Sequence, residues 1–246
     1  LKCLKNKSQS REAMELEAKL LRKEAKMMER FRHPNIVNAV GLSAHSSFGY
    51  FLAYDLIEET LEDRILAWKT GQPVKTAAAR RQIQKTQLMG NNRGGGNNNT
   101  KKKTSKHAPP PLDERLYYCV LGVARAMMYL HARHIVNPLR PDCIGFDRHG
   151  TVKVFDFSIY DDPSDVKLLR YMSPEHILSN ETSYASDVYS LGIITWQVAT
   201  LKEPFSFMLK FKQGKNTSTQ DRNKAIAKKL ANNKRPETRS IPDKEV

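Results

Sequence analysis

A low-complexity stretch near the middle of the chain divides it into two parts with different patterns. Residues 71–111 contain few large apolar side chains, a run of asparagine and glycine, a lysine cluster and three consecutive prolines. Such a composition cannot bury enough apolar surface to offset the entropy that is lost on ordering. We therefore predict a disordered insertion at 71–111, so that any folded core must come from the residues on either side of it.

The part before the insertion combines one helix with short strands. Residues 10–31 consist of good helix formers and end at a His-Pro-Asn turn. Their large apolar side chains recur at helical spacing: Leu16, Leu20, Met27, Met28 and Phe31. The segments "AVGLSAH" and "GYFLAYDLI" are rich in β-branched or aromatic residues, which predicts a hairpin, and "TLEDRILAW" predicts a short helix after it.

The part after the insertion is dominated by helices. "LDERLYYCVLGVARAMMYLHAR" predicts an amphipathic helix with one apolar stripe: Leu116, Val120, Val123, Met127 and Leu130. "CIGFD" and "TVKVFD" then predict two short strands joined by "RHG". "SYASDVYSLGIITWQVAT" is largely apolar all round, which predicts a helix at the centre of a helical lobe. The order of these elements predicts an α+β fold with a small strand-rich lobe and a larger helical lobe.

The charges and cysteines narrow the class of protein. The insertion with its flanking lysine (69–111) carries +10 and the tail (210–246) carries +7 of a net +15, which leaves −2 on the rest of the chain. These basic segments predict only salt-dependent, non-specific attraction to nucleic acid, and we expect no specific nucleic-acid partner. The longest apolar run, 188–201, is shorter than the ~20 residues of a membrane span. Cys3, Cys119 and Cys143 fit neither a metal site nor a disulfide framework, which favours a cytoplasmic or other intracellular compartment.

Seven segments resemble the eukaryotic protein kinase domain, of the serine/threonine or tyrosine-kinase-like kind. They are "LKCLK", "RKEAKMMERFRHPNIV", "LAYDL", "YLHARHIVNPLRPDCIGFD", "FDFS", "YMSPE" and "SDVYSLGIITWQ". In order, they are similar to the third strand, the small-lobe helix, the hinge strand, the catalytic loop, the metal-binding turn, the end of the activation segment and the central helix of the large lobe. Each segment alone is weak evidence, but seven in family order make chance a poor explanation.

The resemblance implies a bilobal kinase-like fold. It runs from Leu1 to about Phe205 and implies a partial small lobe at 1–58, a large lobe at 59–209 that contains the insertion, and a basic tail at 210–246. Because the chain starts at Leu1 inside the third-strand segment, with no glycine-rich loop before it, we expect a piece of a longer protein that is incomplete at both edges.

Several site residues follow from the resemblance. Lys2 is similar to the lysine that binds the ATP phosphates, with Lys5 as its rival, and Glu24 is similar to that lysine's ion-pair partner. Asp55 on the hinge strand is expected to contact the nucleotide. Asp156 is similar to the aspartate that holds Mg²⁺ across the phosphates. Asp187 is expected to be structural and to accept backbone donors of the catalytic loop. ATP and Mg²⁺ are therefore the implied cofactors.

The catalytic loop departs from the family pattern His-Arg-Asp-Leu-Lys-x-x-x-Asn. Anchoring on Leu139 places Pro138 at the catalytic aspartate, Arg140 at the lysine and Cys143 at the metal-binding asparagine. Anchoring on the flanking segments instead shows a one-residue deletion and again no aspartate. A positioned base contributes about 10²- to 10⁴-fold in rate, so the loss is large and no catalytic residue is intact. A thiol is a poor ligand for Mg²⁺, and Ser158 replaces the glycine of the metal-binding turn.

These departures leave two main functions open. The first is a pseudokinase with weak or no ATP binding, which acts as a scaffold or as an allosteric partner of other signalling proteins, such as an active kinase. The second is an active serine/threonine kinase with an unusual loop, or one whose loop is misread through a sequence error between Val136 and Leu139.

Overall fold

The computed structural model describes residues 2–3, 11–45, 49–72, 108–157, 166–179, 181–206, 225–226, 228–230, 232, 235–238 and 241. Most of the predicted insertion at 71–111 lies outside these residues, as do Lys5, Ser158 and much of the basic tail. The prediction of disorder therefore stays a prediction.

The small lobe contains one antiparallel sheet and one long helix. The strands β1 (Lys2–Cys3), β2 (Ala39–His45) and β3 (Gly49–Tyr54) form a sheet with the order β1-β3-β2. The helix α1 (Arg11–Met28) packs against β2 and β3. Both the predicted helix and the predicted hairpin strands are present, although β3 ends at Tyr54 rather than at Ile57.

Not every large apolar residue of α1 lies on the buried face of this helix. Among the described side chains of this helix, Ala18, Leu21, Ala25 and Met28 are the buried apolar ones, whereas Leu16 is 49% exposed. At 100° per residue, Leu16 lies far from the stripe defined by Leu21, Ala25 and Met28. The buried face contains the small Ala18 and Ala25 as well as Met28, so side-chain size alone does not identify it.

A second three-stranded sheet belongs to the large lobe. It consists of β4 (Glu59–Thr60), β5 (Ile144–Phe146) and β6 (Val152–Val154), in that order and antiparallel. The sequence predicted β5 and β6 but missed β4, because two residues are too short to show a period. Directly after β4, the helix α2 (Leu61–Thr70) begins with a capping box between Thr60 and Asp63.

The segment between α1 and β2 joins the two lobes. The backbone N–H of Val37 donates to the carbonyl of Val154 at 3.0 Å, and the N–H of Val154 donates to the carbonyl of Asn35 at 2.8 Å. The Asn35 side chain also donates to the carbonyl of Val152 at 3.0 Å. The end of α1 is therefore attached to β6 as well as to its own sheet.

The large lobe is helical. The predicted amphipathic helix is confirmed as α3 (Leu112–Arg115), a π-helical turn (Leu116–Leu121) and α4 (Gly122–His131). A 3₁₀ turn (Pro141–Cys143) precedes β5, and the short helices α5 (Val166–Leu169) and α6 (Pro174–Ser179) lead to α7 (Tyr184–Thr200).

The predicted central helix is present as α7, although it is not buried on all sides. Val188 is 58% exposed and Tyr184 is 42% exposed. The buried face instead includes polar residues that form hydrogen bonds: the Ser190 hydroxyl donates to the carbonyl of Tyr171 at 2.7 Å, and Gln197 accepts from the Tyr171 hydroxyl at 2.7 Å. None of the described helices is long and apolar enough to cross a membrane. The α+β architecture with a small strand-bearing lobe and a helical lobe is confirmed.

Candidate functional site

The turn after β6 lies between the two lobes. Asp156 has a φ of 61°, in the left-handed region that aspartate tolerates better than most residues. The next residue, Phe157, is buried and packs against Phe31, with ring centroids 5.1 Å apart. Phe31 in turn contacts the edge of Tyr129 on α4, with centroids 6.4 Å apart. This aromatic contact chain holds the turn between the end of α1 and α4.

Glu24 on α1 fixes the backbone of the same turn. The Glu24 side chain is buried, and its Oε1 accepts the backbone N–H of Phe157 at 3.0 Å. A hydrogen bond to a carboxylate is stronger than one to a neutral acceptor. Lys2 lies in β1 with its backbone paired to Leu52, but its side chain lies outside the described part of the structure. The predicted ion pair between Lys2 and Glu24 therefore stays a prediction.

The catalytic-loop segment holds its shape through Asp187. The Asp187 Oδ2 atom accepts the backbone N–H of Asn137 at 3.0 Å and lies 2.8 Å from Nε2 of His131. Burial raises the pKa of Asp187, while the hydrogen bond from Asn137 and the proximity of His131 oppose this rise. Asp187 thus accepts a backbone donor of this loop, in the structural role that the sequence assigned to it.

The described loop carries no carboxylate at the position expected for a base. Pro138 is partly buried, and Leu139 beside it is fully buried and belongs to the core. Proline has neither a carboxylate nor a backbone N–H. The nearest acid along the chain is Asp142, whose Oδ1 accepts a hydrogen bond from Nε of Arg140 at 2.7 Å.

Arg140 and Cys143 both approach Asp156. The NH2 nitrogen of Arg140 lies 3.5 Å from Asp156 Oδ2, and the Cys143 sulfur lies 3.8 Å from the same oxygen. Cys143 is a buried free thiol. Magnesium takes oxygen ligands in a near-octahedral arrangement, whereas this oxygen faces a cation and a thiol. Among the residues that the structure describes, no group of three His, Cys, Asp or Glu side chains could hold a metal ion. A guanidinium and a thiol are poor company for Mg²⁺ at this oxygen, and the predicted contact of Asp156 with Mg²⁺ stays a prediction.

Asp55 has a local structural partner. Its Oδ2 accepts the backbone N–H of Asn38 at 3.1 Å and the Asn38 side-chain amide at 2.7 Å. These bonds tie the end of β3 to the residue before β2. The predicted nucleotide contact of Asp55 remains a prediction.

The sequence did not reveal how the space beside β5 is packed. A Cβ atom on Gly145 would lie 2.3 Å from Cγ2 of Ile57 and 3.0 Å from Cε1 of Phe155. The Phe155 ring also lies 6.1 Å from that of Tyr54, centroid to centroid. Ile57 and Phe155 therefore occupy the volume that a side chain at Gly145 would need, next to the hinge strand.

Comparison with known proteins supports the resemblance. The model of a family described as "Protein tyrosine and serine/threonine kinase" matches residues 1–238. An Aurora kinase of Debaryomyces hansenii is 33% identical over 103 residues, which cover 38% of this chain and 25% of that protein. Mitogen-activated protein kinase kinase 2 of Arabidopsis thaliana is 33% identical over 94 residues, 34% of this chain and 26% of that protein. The dual specificity protein kinase zakA of Dictyostelium discoideum is 28% identical over 101 residues, 33% of this chain and 13% of that protein. The matched segments thus span about a quarter or less of these relatives.

The family match extends beyond the point where the sequence motifs ended. It continues to residue 238, past Phe205. Within this extension, the Arg235 guanidinium lies 5.3 Å from the centre of the Tyr189 ring on α7. Burial raises the pKa of Tyr189, Arg235 lowers it and Glu175 raises it further, so both charged groups lie near that ring. The sequence analysis did not predict this grouping, because Glu175, Tyr189 and Arg235 lie far apart along the chain.

Proposed function

Since the chain belongs to the protein tyrosine and serine/threonine kinase family, we propose that it is a pseudokinase: a member that keeps the kinase fold and has lost efficient phosphate transfer. The observation that carries this proposal is the loop from Asn137 to Cys143. Pro138 replaces the expected base, Cys143 replaces the expected metal-binding amide, and the carboxylate of Asp142 is held by Arg140.

Members of this family generally bind ATP and Mg²⁺, and we infer that this chain binds ATP weakly or not at all. Two observations support this inference. Ile57 and Phe155 fill the space over Gly145, next to the hinge strand that the resemblance assigns to nucleotide contact. The Asp156 oxygen faces the guanidinium of Arg140 and the thiol of Cys143.

The contacts that shape the fold are nevertheless kept, which supports a role in binding other proteins. Glu24 holds the turn after β6, and Asp187 holds the catalytic-loop segment. We propose that the chain acts as a scaffold or as an allosteric partner of other signalling proteins, such as an active kinase. An intracellular location fits the free thiols of Cys119 and Cys143.

A phosphotransfer assay tests the proposal. The chain, extended by its upstream residues where these exist, is incubated with Mg²⁺, radiolabelled ATP and a generic protein substrate. Kinases turn over about 1–100 times per second, and loss of the base lowers this by about 10²- to 10⁴-fold. We expect transfer at or below that reduced rate and equal to the background of an Asp156→Ala variant. Transfer at ordinary kinase rates that Asp156→Ala abolishes would refute the proposal.

An active serine/threonine kinase is the second candidate. It is favoured by the retention of Asp156 and of Glu24, which contacts the turn at Phe157. Resequencing the region that encodes Val136 to Leu139 separates the candidates cheaply. An additional codon that restores an aspartate would support the active enzyme.

A further inference from the structure

The Arg140 side chain bridges two carboxylates on different segments. Its Nε lies 2.7 Å from Asp142 Oδ1 in the 3₁₀ turn, and its NH2 lies 3.5 Å from Asp156 Oδ2 after β6. The Arg140 side chain is 22% exposed and that of Asp156 is 23% exposed. The Arg140 guanidinium is therefore held, largely out of water, near the Asp156 carboxylate. The family resemblance assigns a metal ion to that carboxylate.

The backbone around Arg140 keeps this cation in place. The carbonyl of Arg140 accepts the N–H of Cys143 at 3.0 Å, and the carbonyl of Cys143 accepts the N–H of Phe155 at 3.0 Å. The segment that carries Arg140 and the segment that carries Asp156 are thus attached to each other by main-chain bonds. Burial lowers the pKa of Arg140, but Cys143, Asp142 and Asp156 raise it more, so the guanidinium stays charged.

A divalent ion on Asp156 would have to approach this guanidinium closely. Two cations that share one carboxylate oxygen repel each other, and the repulsion is strong where water is largely excluded. Another neighbour, Cys143, offers sulfur, which is a poor ligand for Mg²⁺. Removing the arginine charge would leave Asp142 and Asp156 without the cation that now contacts both of them, and that is a better environment for a divalent ion.

We propose that the Arg140 guanidinium takes the place of the metal ion at Asp156, so that the turn is neutralised and positioned without any divalent cation. Arg140 ties the turn to the large lobe, and Glu24 ties it to the small lobe through the N–H of Phe157. The inference rests on the proposed function only in treating this turn as one that does not need Mg²⁺ for phosphate transfer.

Binding of Mn²⁺ alone, without nucleotide, tests the proposal on the full chain. Electron paramagnetic resonance counts free Mn²⁺ in titrations of the native chain, Asp156→Asn, Arg140→Gln and the double variant Arg140→Gln/Asp156→Asn. Arg148→Gln is the matched control, because Arg148 is an exposed arginine whose Nε donates to His149. Arg148→Gln changes the net charge of the chain by the same amount as Arg140→Gln, but Arg148 lies on the turn between β5 and β6.

We expect no Asp156-dependent Mn²⁺ binding in the native chain and in Arg148→Gln. Arg140→Gln should bind Mn²⁺ roughly tenfold more tightly or better, because a like charge has been removed at short range, and the double variant should lose that gain. Asp156-dependent binding in the native chain, or a folded Arg140→Gln without any gain, overturns the proposal.

A second measurement does not depend on any Arg140 variant. The thermal unfolding of the native chain and of Asp156→Asn is followed as Mg²⁺ is added. We expect the two melting temperatures to respond equally. A Mg²⁺-dependent rise in the native chain that Asp156→Asn lacks refutes the proposal, even if Arg140→Gln fails to fold. A pseudokinase that binds Mg²⁺ would overturn this inference alone, whereas ordinary rates of phosphate transfer would overturn the proposed function.

Discussion

Replacement of Asp187 by alanine should destabilise the large lobe strongly. Its Oδ2 accepts the N–H of Asn137 at 3.0 Å and contacts His131 Nε2 at 2.8 Å, and the Asp187 side chain is 1% exposed. Hydrogen bonds to charged groups contribute about 1.5–3 kcal/mol each. Part of that sum is offset because the cost of burying the carboxylate disappears. We expect a net loss of roughly 3 kcal/mol, or about 6–12 °C in Tm for a chain of this size.

Urea unfolding followed by circular dichroism measures this loss. Glu181→Ala is the matched control, since it also removes a carboxylate, from the exposed segment before α7, and exposed substitutions usually stay within about 0.5 kcal/mol. If Asp187→Ala cost no more than Glu181→Ala, the two contacts of Asp187 would not hold the catalytic-loop segment.

The contribution of Asp187 to the free energy of unfolding should fall as the pH rises. Burial raises the pKa of Asp187 above its ordinary value of 3.8, so the folded chain binds a proton more tightly than the unfolded chain. This contribution to stability is present below the unfolded pKa and is lost as the pH rises through the folded pKa. Relative to Asp187→Asn, the native chain should lose stability as the pH rises from about 4. A difference that stays constant between pH 4 and pH 7 would contradict the raised pKa.

Two further predictions concern buried positions. Gly122→Ala should cost about 1–2 kcal/mol in urea unfolding, because the new Cβ would lie 2.2 Å from Cγ1 of Val152 and overpacking outweighs the better helix propensity of alanine. Gly192→Ala, with nothing within 4 Å of the new Cβ, should instead stabilise, and equal effects at the two glycines would disprove the close approach. Burial raises the pKa of the Cys119 thiol to about 11. Iodoacetamide at pH 8 should therefore label Cys119 far more slowly in the folded chain than in urea, as measured by peptide mass spectrometry, and similar rates would show that this thiol is accessible.

Much of the fold followed from local patterns, because most elements are long enough to show a period. The helices α1, α2 and α7 and the strands β2 and β3 were predicted close to their observed bounds. Burial was harder to predict than the elements themselves, because it depends on phase and hydrogen bonding as well as on apolar content. Leu16 is large and exposed, while Ser190 is polar and buried because its hydroxyl has acceptors in the carbonyls of Tyr171 and Ser186.

The candidate site was predictable only at the level of residue identity. Reading Pro138 and Cys143 against a known motif was enough to indicate a degraded catalytic loop. The bridge from Arg140 to Asp142 and Asp156 was not predictable, because it depends on how a 3₁₀ turn and the end of β6 are placed in space. The packing of Phe155 and Ile57 onto Gly145 was likewise not predictable, since it brings together residues from three segments.

Because the segment between α1 and β2 is hydrogen-bonded to β6, a tilt of α1 would turn about a point near Met28. At 1.5 Å per residue, Glu24 lies about 6 Å from that pivot, whereas Arg11 lies about 26 Å from it. A tilt of about 10° would move Glu24 by about 1 Å and the far end of α1 by more than 4 Å. The displacement at Glu24 is enough to break its 3.0 Å bond to Phe157. A protein that bound the start of α1 would therefore move that end about four times as far as it moved Glu24, the residue that holds the turn carrying Asp156.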